Sequence, residues 1–223
     1  MKLFNKLFLL LLVAATNISQ AIVIETTEMT DIVSYVDTDT LVFFDVDGTM
    51  IDRKASKGSS KLIKEYWRGD RRIRTLDGGR MFVQSQNPVV PMEKITASLI
   101  ADFQQQGVMV LGLTARNQNF IEEAGEDLTA LQLRCIKIDM HNSDYPRSLK
   151  KMPSFKRGII FTKNKLKGPF AAECLDNMEW IPGKVVFVDN RLSFCESVDQ
   201  AMTDRGIECY CFWYRRQELN NEN

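Results

Sequence analysis

Asp45 and Asp47 stand directly after the apolar run Leu41 to Phe44 and before Gly48 and Thr49. Two carboxylates in that position suit covalent and proton-transfer chemistry together. One can attack phosphorus while the other shuttles a proton. Gly48 lets the backbone turn tightly, so both side chains can converge on one ligand. An Asp-Gly pair is also a common turn signal with no chemistry attached, so further residues must decide. Thr114 ends a second apolar run, Leu111-Gly112-Leu113-Thr114-Ala115-Arg116, where a plain helix N-cap is the competing reading. Asp189 ends a third, Val185 to Asp189, and is followed by Asn190. Between them Lys163, Lys165 and Lys167 lead into Gly168.

Chain elements must bring those residues together. The apolar runs Leu41–Phe44, Val108–Leu113, Gly158–Thr162, Lys184–Val188 and Ile207–Phe212 are mostly continuous rather than alternating, as in parallel strands covered on both faces. Amphipathic stretches of helical length separate them. Met92–Gln106 sets Ile95, Leu99, Ile100 and Phe103 on one face, and Gly168–Trp180 and Leu192–Arg205 read similarly. Gly107 and Gly206 sit where a helix C-cap glycine belongs. The pattern predicts an α/β fold with a doubly wound, mainly parallel sheet. Catalytic side chains then gather at the carboxyl ends of the strands. Residues 52–90 break the rhythm and predict a small, polar, cap-like insertion after the first strand, with a short helix near Lys61–Trp67. Tyr66 and Trp67 could stack on a base or sugar ring, but anchoring the insertion is their commoner role.

Asp-Val-Asp-Gly-Thr, Leu-Thr-Ala-Arg, Lys-Gly and Phe-Val-Asp-Asn, in that order and strand context, resemble the haloacid dehalogenase-like (HAD) superfamily from about Leu41 to Phe212. Together with an export signal, the spacing also resembles a family of secreted bacterial HAD-like proteins, which brings no substrate with it. The resemblance implies that Asp45 is the nucleophile and forms an aspartyl-phosphate. Asp47 is then the general acid and, in the second step, the base. Thr114 binds a phosphoryl oxygen and Lys167 holds Asp45 and the phosphoryl group by charge, with Lys163 and Lys165 as fallback lysines. Val46 and Ala115 complete the phosphate contacts. Asp45, the carbonyl of Asp47 and Asp189 hold Mg²⁺, and an Asp at position 47 points to phosphate esters rather than haloacids. Two acids beside a phosphate dianion repel strongly, so a hard cation and a lysine are needed to offset the charge. Asn190 stands where many relatives carry a second acid. Glu196 and Asp199 lie farther along the next helix, and Arg116 is placed either to reach the phosphate or to pair with Glu122 or Glu123.

The 223 residues are 44% hydrophobic and 26% charged, which excludes disordered, collagenous and multi-span membrane classes. The formal net charge of +0 argues against a nucleic-acid partner. A single histidine, His141 in a polar loop, argues against His-rich metal sites and a Ser-His-Asp triad. Lys2 and Lys6, the apolar run Leu7–Ala15, and Ser19 with Ala21 read as a signal peptide over residues 1–21. The apolar run is too short to span a membrane. The expected mature chain, 22–223, is exported to the periplasm or beyond. Five cysteines follow the signal; Cys209 and Cys211 share one strand face and are poor disulfide partners for each other. No Cys-x-x-Cys pattern supports a zinc ribbon or a thioredoxin-like redox site.

Charge is unevenly laid out: Arg147–Lys167 carries eight Lys/Arg and no acid, and Arg53–Arg80 carries ten against three. Both segments are expected near the mouth of the site, where they would attract a phosphorylated, anionic substrate. The leading functional reading is an exported Mg²⁺-dependent phosphoric monoester hydrolase. The alternative is a HAD-fold binding or effector protein that recognises a phosphorylated partner without turnover.

Overall fold

The computed structural model describes residues 22–51, 91–121, 126–141 and 145–216. Its centre is a seven-stranded sheet of β1 (Ile22–Thr26), β2 (Thr40–Phe44), β3 (Met109–Thr114), β6 (Phe155–Lys156), β7 (Ile159–Phe161), β8 (Lys184–Asp189) and β9 (Glu208–Tyr214). The spatial order is β1-β9-β8-β2-β3-β7-β6, and only the β6–β7 pair is antiparallel. A small hairpin, β4 (Phe120–Ile121) with β5 (Glu126–Asp127), stands apart. Four α-helices accompany the sheet among the described residues: α1 (Thr96–Gln105), α2 (Leu128–Cys135), α3 (Gly168–Asp176) and α4 (Leu192–Thr203).

The central strands are apolar on both sides because both sides are covered. Val42, Phe44, Val110, Val186 and Val188 meet Leu99, Ile100 and Phe103 of α1 and Leu131 of α2. Leu41, Phe43, Leu111, Val185 and Phe187 meet Ala171 of α3 and Phe194, Val198 and Met202 of α4. The sheet is therefore doubly wound. The chain runs outward from β2 through β3 to β7, then crosses back so that β8 lies on the other side of β2. Strand order reverses at β2, and a crevice opens at the carboxyl ends of β2, β3 and β8.

The expected strands and long helices are present, with corrections at their margins. Ile22–Thr26 is the first strand: it pairs in parallel with β9 at the sheet edge, so the insertion follows the second strand. Ile95 precedes α1 and is exposed, whereas Leu99, Ile100 and Phe103 are buried. The helix expected over 168–180 ends at Asp176. Helix α2 has only eight residues and no sequence period long enough to announce it. Its N-cap, Asp127, accepts a hydrogen bond from the Thr129 N–H at 2.7 Å. Gly107 and Gly206 hold φ of +82° and +67° at the helix ends, as their positions require. The signal peptide, the insertion at 52–90 and its helix near Lys61–Trp67 lie outside the described residues.

Candidate active site

Asp45 continues β2 by one residue, its N–H donating to Val188 O at 2.9 Å. The chain then closes a tight loop. Gly48 takes φ +82° and donates to Ile51 O at 2.7 Å, while the N–H groups of Met50 and Ile51 return to Val46 O. Inside that loop the Thr49 hydroxyl donates to Asp45 Oδ2 at 3.3 Å. Asp189 ends β8, and its Oδ1 accepts from the Arg191 N–H at 2.8 Å.

Lys167 lies immediately before α3, and its side chain is fully buried. Its ammonium donates to Asp45 Oδ1 and to Asp189 Oδ2, each at 2.5 Å. Three elements thus meet at one nitrogen. The rings of Phe194 and Phe187 stand 5.0 and 5.4 Å from it. Burial works to lower the Lys167 pKa, but Asp189 and Asp45 outweigh it and hold the ammonium above its ordinary value. Burial also pushes the Asp189 carboxyl up to about 7, opposed by Lys167 and reinforced by the charge of Asp45. Asp45 and Asp189 thus share one buried ammonium between them. Close-set, hard oxygen donors of this kind suit a divalent cation such as Mg²⁺, which Asp45, Asp189 and the main chain at Asp47 could hold.

The carboxylate of Asp47 turns to Arg116 rather than to Lys167. Arg116 grips it in a fork, Nε to Oδ2 at 2.7 Å and Nη2 to Oδ1 at 2.5 Å. Nη1 of Arg116 donates to Gln132 Oε1 at 2.5 Å, which ties the fork to α2. Arg116 thus pairs with the candidate general acid and lines the cleft; Glu122 and Glu123, its other expected partners, lie outside the described residues. Asp45 and Asp47 nevertheless line the same cleft, about 210 Å³, together with Ala115, Arg116, Asn190 and Arg191.

Thr114 ends β3 and is fully buried, its hydroxyl accepting from the Arg116 N–H at 3.3 Å. Lys163 and Lys165 are exposed, so Lys167 alone of the three reaches Asp45. Lys163 and Asn164 take φ of 54° and 61°, and their N–H groups bond to Arg116 O and Ala115 O, which seats the loop before α3 against the end of β3. Glu196 and His141 are exposed. Asp199 is buried beside Cys209 and Cys211.

Sequence reasoning missed three residues. Thr49 supports Asp45 within its loop, Asn164 lines the cleft, and Arg191 lines it with its guanidinium 4.4 Å from the Phe194 ring centre. Arg191 was discoverable as the cation two residues beyond Asp189. Asn164 was hidden in a segment read for its lysines.

The reversal of strand order at β2, with Asp45, Asp189 and Lys167 joined there, is the architecture of the HAD-like fold. Solved structures agree on the fold: the HAD domain of the effector protein Lem4 from Legionella pneumophila superposes with a TM-score of 0.50 and 16% identity. The match covers 83% of this chain and 95% of that one. An inactive mutant of the same domain matches with the same score over 82% and 91%. The chain belongs to the family described as "Protein of unknown function (DUF2608)", whose model matches residues 25–223. Among curated proteins, one from Chlamydia trachomatis named "Putative outer membrane protein" is 25% identical over 85% of this chain and 75% of its own length. A Chlamydia pneumoniae protein whose name also begins "Putative outer membrane protein" is 25% identical over 62% of this chain. The match spans 52% of that protein, about half its length.

Proposed function

We propose that this chain is an exported, Mg²⁺-dependent phosphatase that hydrolyses a phosphate monoester through an aspartyl-phosphate on Asp45. The observation that carries the reading is the Lys167 ammonium bonded at once to Asp189 and to Asp45, which lines the cleft. Asp45 Oδ attacks phosphorus, and the new O–P bond forms as the ester O–P bond breaks. Asp47 protonates the leaving oxygen, then takes a proton from the water that attacks the aspartyl-phosphate and returns phosphate and free Asp45. Lys167 holds the nucleophile in place by charge, and Arg116 fixes the plane of the Asp47 carboxyl. Asp45, Asp189 and the main chain at Asp47 would hold Mg²⁺, which would supply neutralising charge for the phosphoryl group. The main-chain N–H groups of the Val46–Asp47 and Ala115 turns, with Thr114, are the further phosphate contacts. Export is supported by the signal-like residues 1–21 and by the outer-membrane names of the Chlamydia relatives. No helix among the described residues is long and apolar enough to cross a membrane.

The test is turnover of an aryl phosphate by the chain lacking residues 1–21, with Mg²⁺ and with EDTA. Activity lost on chelation and in Asp45→Asn supports the enzyme. Full activity in Asp45→Asn overturns the nucleophile. A second reading, a HAD-fold effector that binds a phosphorylated partner without turnover, is favoured by Asn190 at the cleft and by the effector named among the fold's neighbours. It predicts tight binding to one phosphorylated ligand and no turnover on any member of a broad phosphate panel.

A further inference from the structure

Cys209 and Cys211 alternate along β9 onto the face covered by α4, with Cys209 3% exposed and Cys211 fully buried. Their Sγ atoms are 3.5 Å apart. Asp199 of α4 comes down onto them, and one carboxylate oxygen and the two sulfurs all lie within 4.8 Å of one another. Asp199 is 6% exposed, and its Oδ1 has no hydrogen-bond partner among the described residues. Both cysteines belong to an apolar cluster with Val198 and Met202 of the same helix and Val185 of β8. A carboxylate at such a place is costly unless a cation or donor meets it. Burial accordingly raises its pKa.

We propose that Asp199, Cys209 and Cys211 form a binding site for a thiophilic divalent cation, with Zn²⁺ as the best match. Two thiolates at a Zn–S distance of ~2.3 Å stand ~3.7 Å apart in a tetrahedron, so the observed sulfur pair is spaced for one shared ion with little movement. The carboxylate oxygen supplies the third ligand. Cys195 lies one helical turn before Asp199 on the same helix face and is the nearest further thiol on that helix. Its Sγ now lies 3.7 Å from Phe212 O and 3.8 Å from Asp189 O. Binding M²⁺ forms two M–S bonds and one M–O bond and releases the two thiol protons to solvent. The soft sulfur donors set this site apart from the oxygen-lined cleft, which suits Mg²⁺. Its role is to clamp α4 to β9 behind the strand that carries Asp189, so it tests independently of the phosphatase reading.

The experiment is a Co²⁺ titration of the full chain, stripped of metal and fully reduced, with Co²⁺ as the coloured substitute for Zn²⁺. The expected result is thiolate-to-cobalt charge-transfer absorption that saturates at one equivalent and is displaced by Zn²⁺ but not by Mg²⁺. The absorption disappears in Cys209→Ser and in Cys211→Ser. Affinity falls at least about tenfold in Asp199→Asn, the lower end of what losing even an outer partner costs. Asp45→Asn keeps the full signal, which separates this site from the catalytic one. Zn²⁺ raises the melting temperature of the unaltered chain, a readout that needs no variant to fold. Absence of charge-transfer absorption in the reduced chain overturns the proposal, as does its persistence in Cys211→Ser. Recovery of Cys209 and Cys211 joined to each other in the protein as isolated also overturns it.

Discussion

Arg116 holds Asp47 by both carboxylate oxygens, at 2.7 and 2.5 Å, and α2 holds Arg116 in turn through Gln132. A planar fork fixes a carboxylate in position and plane, which a lysine's single ammonium cannot do. Arg116→Lys keeps the charge and loses the fork. If Asp47 is the proton donor, the variant should lower kcat on an aryl phosphate by about 10²-fold, the scale set by small misplacements of a catalytic group, with KM little changed. Steady-state kinetics checks this, and an unaltered kcat would mean that Asp47 works without the guanidinium.

Lys167→Met removes the ammonium that Asp45 and Asp189 share and leaves two buried carboxylates facing each other. Breaking a buried ion pair from one side costs about 3–5 kcal/mol. Urea unfolding in EDTA should show a loss of that size. Added Mg²⁺ should recover part of it, because the cation offsets the same repulsion. A variant as stable as the parent in EDTA contradicts the charge arrangement.

The stability of the chelated chain should depend on pH through Asp189. Burial pushes this carboxyl up to about 7 from an ordinary 3.8. Between those values the folded chain retains a proton that the unfolded chain has lost, so stability from this group falls as pH rises across the window. Lys167 is held protonated, with its pKa raised, and does not reverse the trend there. Thermal melts in EDTA from about pH 4 to 7 should show the slope, and Asp189→Asn should flatten it.

Gly168 begins α3 directly after Lys167, and a Cβ there would lie 2.0 Å from Ser197 O of α4. Gly168→Ala must push the two helices apart, at a cost of about 1–3 kcal/mol by the measure of overpacked cores, and it should move Lys167 and depress turnover. Gly206→Ala meets nothing within 4 Å among the described residues and suffers its φ of +67°. It should cost about 1 kcal/mol and leave kcat intact. Equal loss of activity in both variants would show that helix spacing does not set the lysine.

Much of this arrangement was legible in the order of residues. The continuous apolar runs around Phe43, Leu111 and Phe187 declared strands buried on both faces, and the acids at the ends of β2 and β8 marked where a ligand would sit. Helix α2 and the edge strand β1 were not legible, because eight residues and five residues offer too little periodicity. Lys167 was singled out over Lys163 and Lys165 only by the resemblance of its Lys-Gly step, since three lysines at alternate positions look alike until the helix start shows which one is buried against Asp45.

The sequence by itself determined the five inner strands of the sheet, the two-sided covering of the central ones, and the set of acids and cations available at their carboxyl ends, because local hydrophobic runs and turn residues encode those. Only the tertiary structure decided the pairing. Lys167 belongs to Asp45 and Asp189, Arg116 belongs to Asp47, and Asp199 belongs to two cysteines. Each pairing joins residues from separate elements, and which carboxylate meets which cation is set by how the helices dock onto the sheet, a matter of packing that no spacing along the chain records.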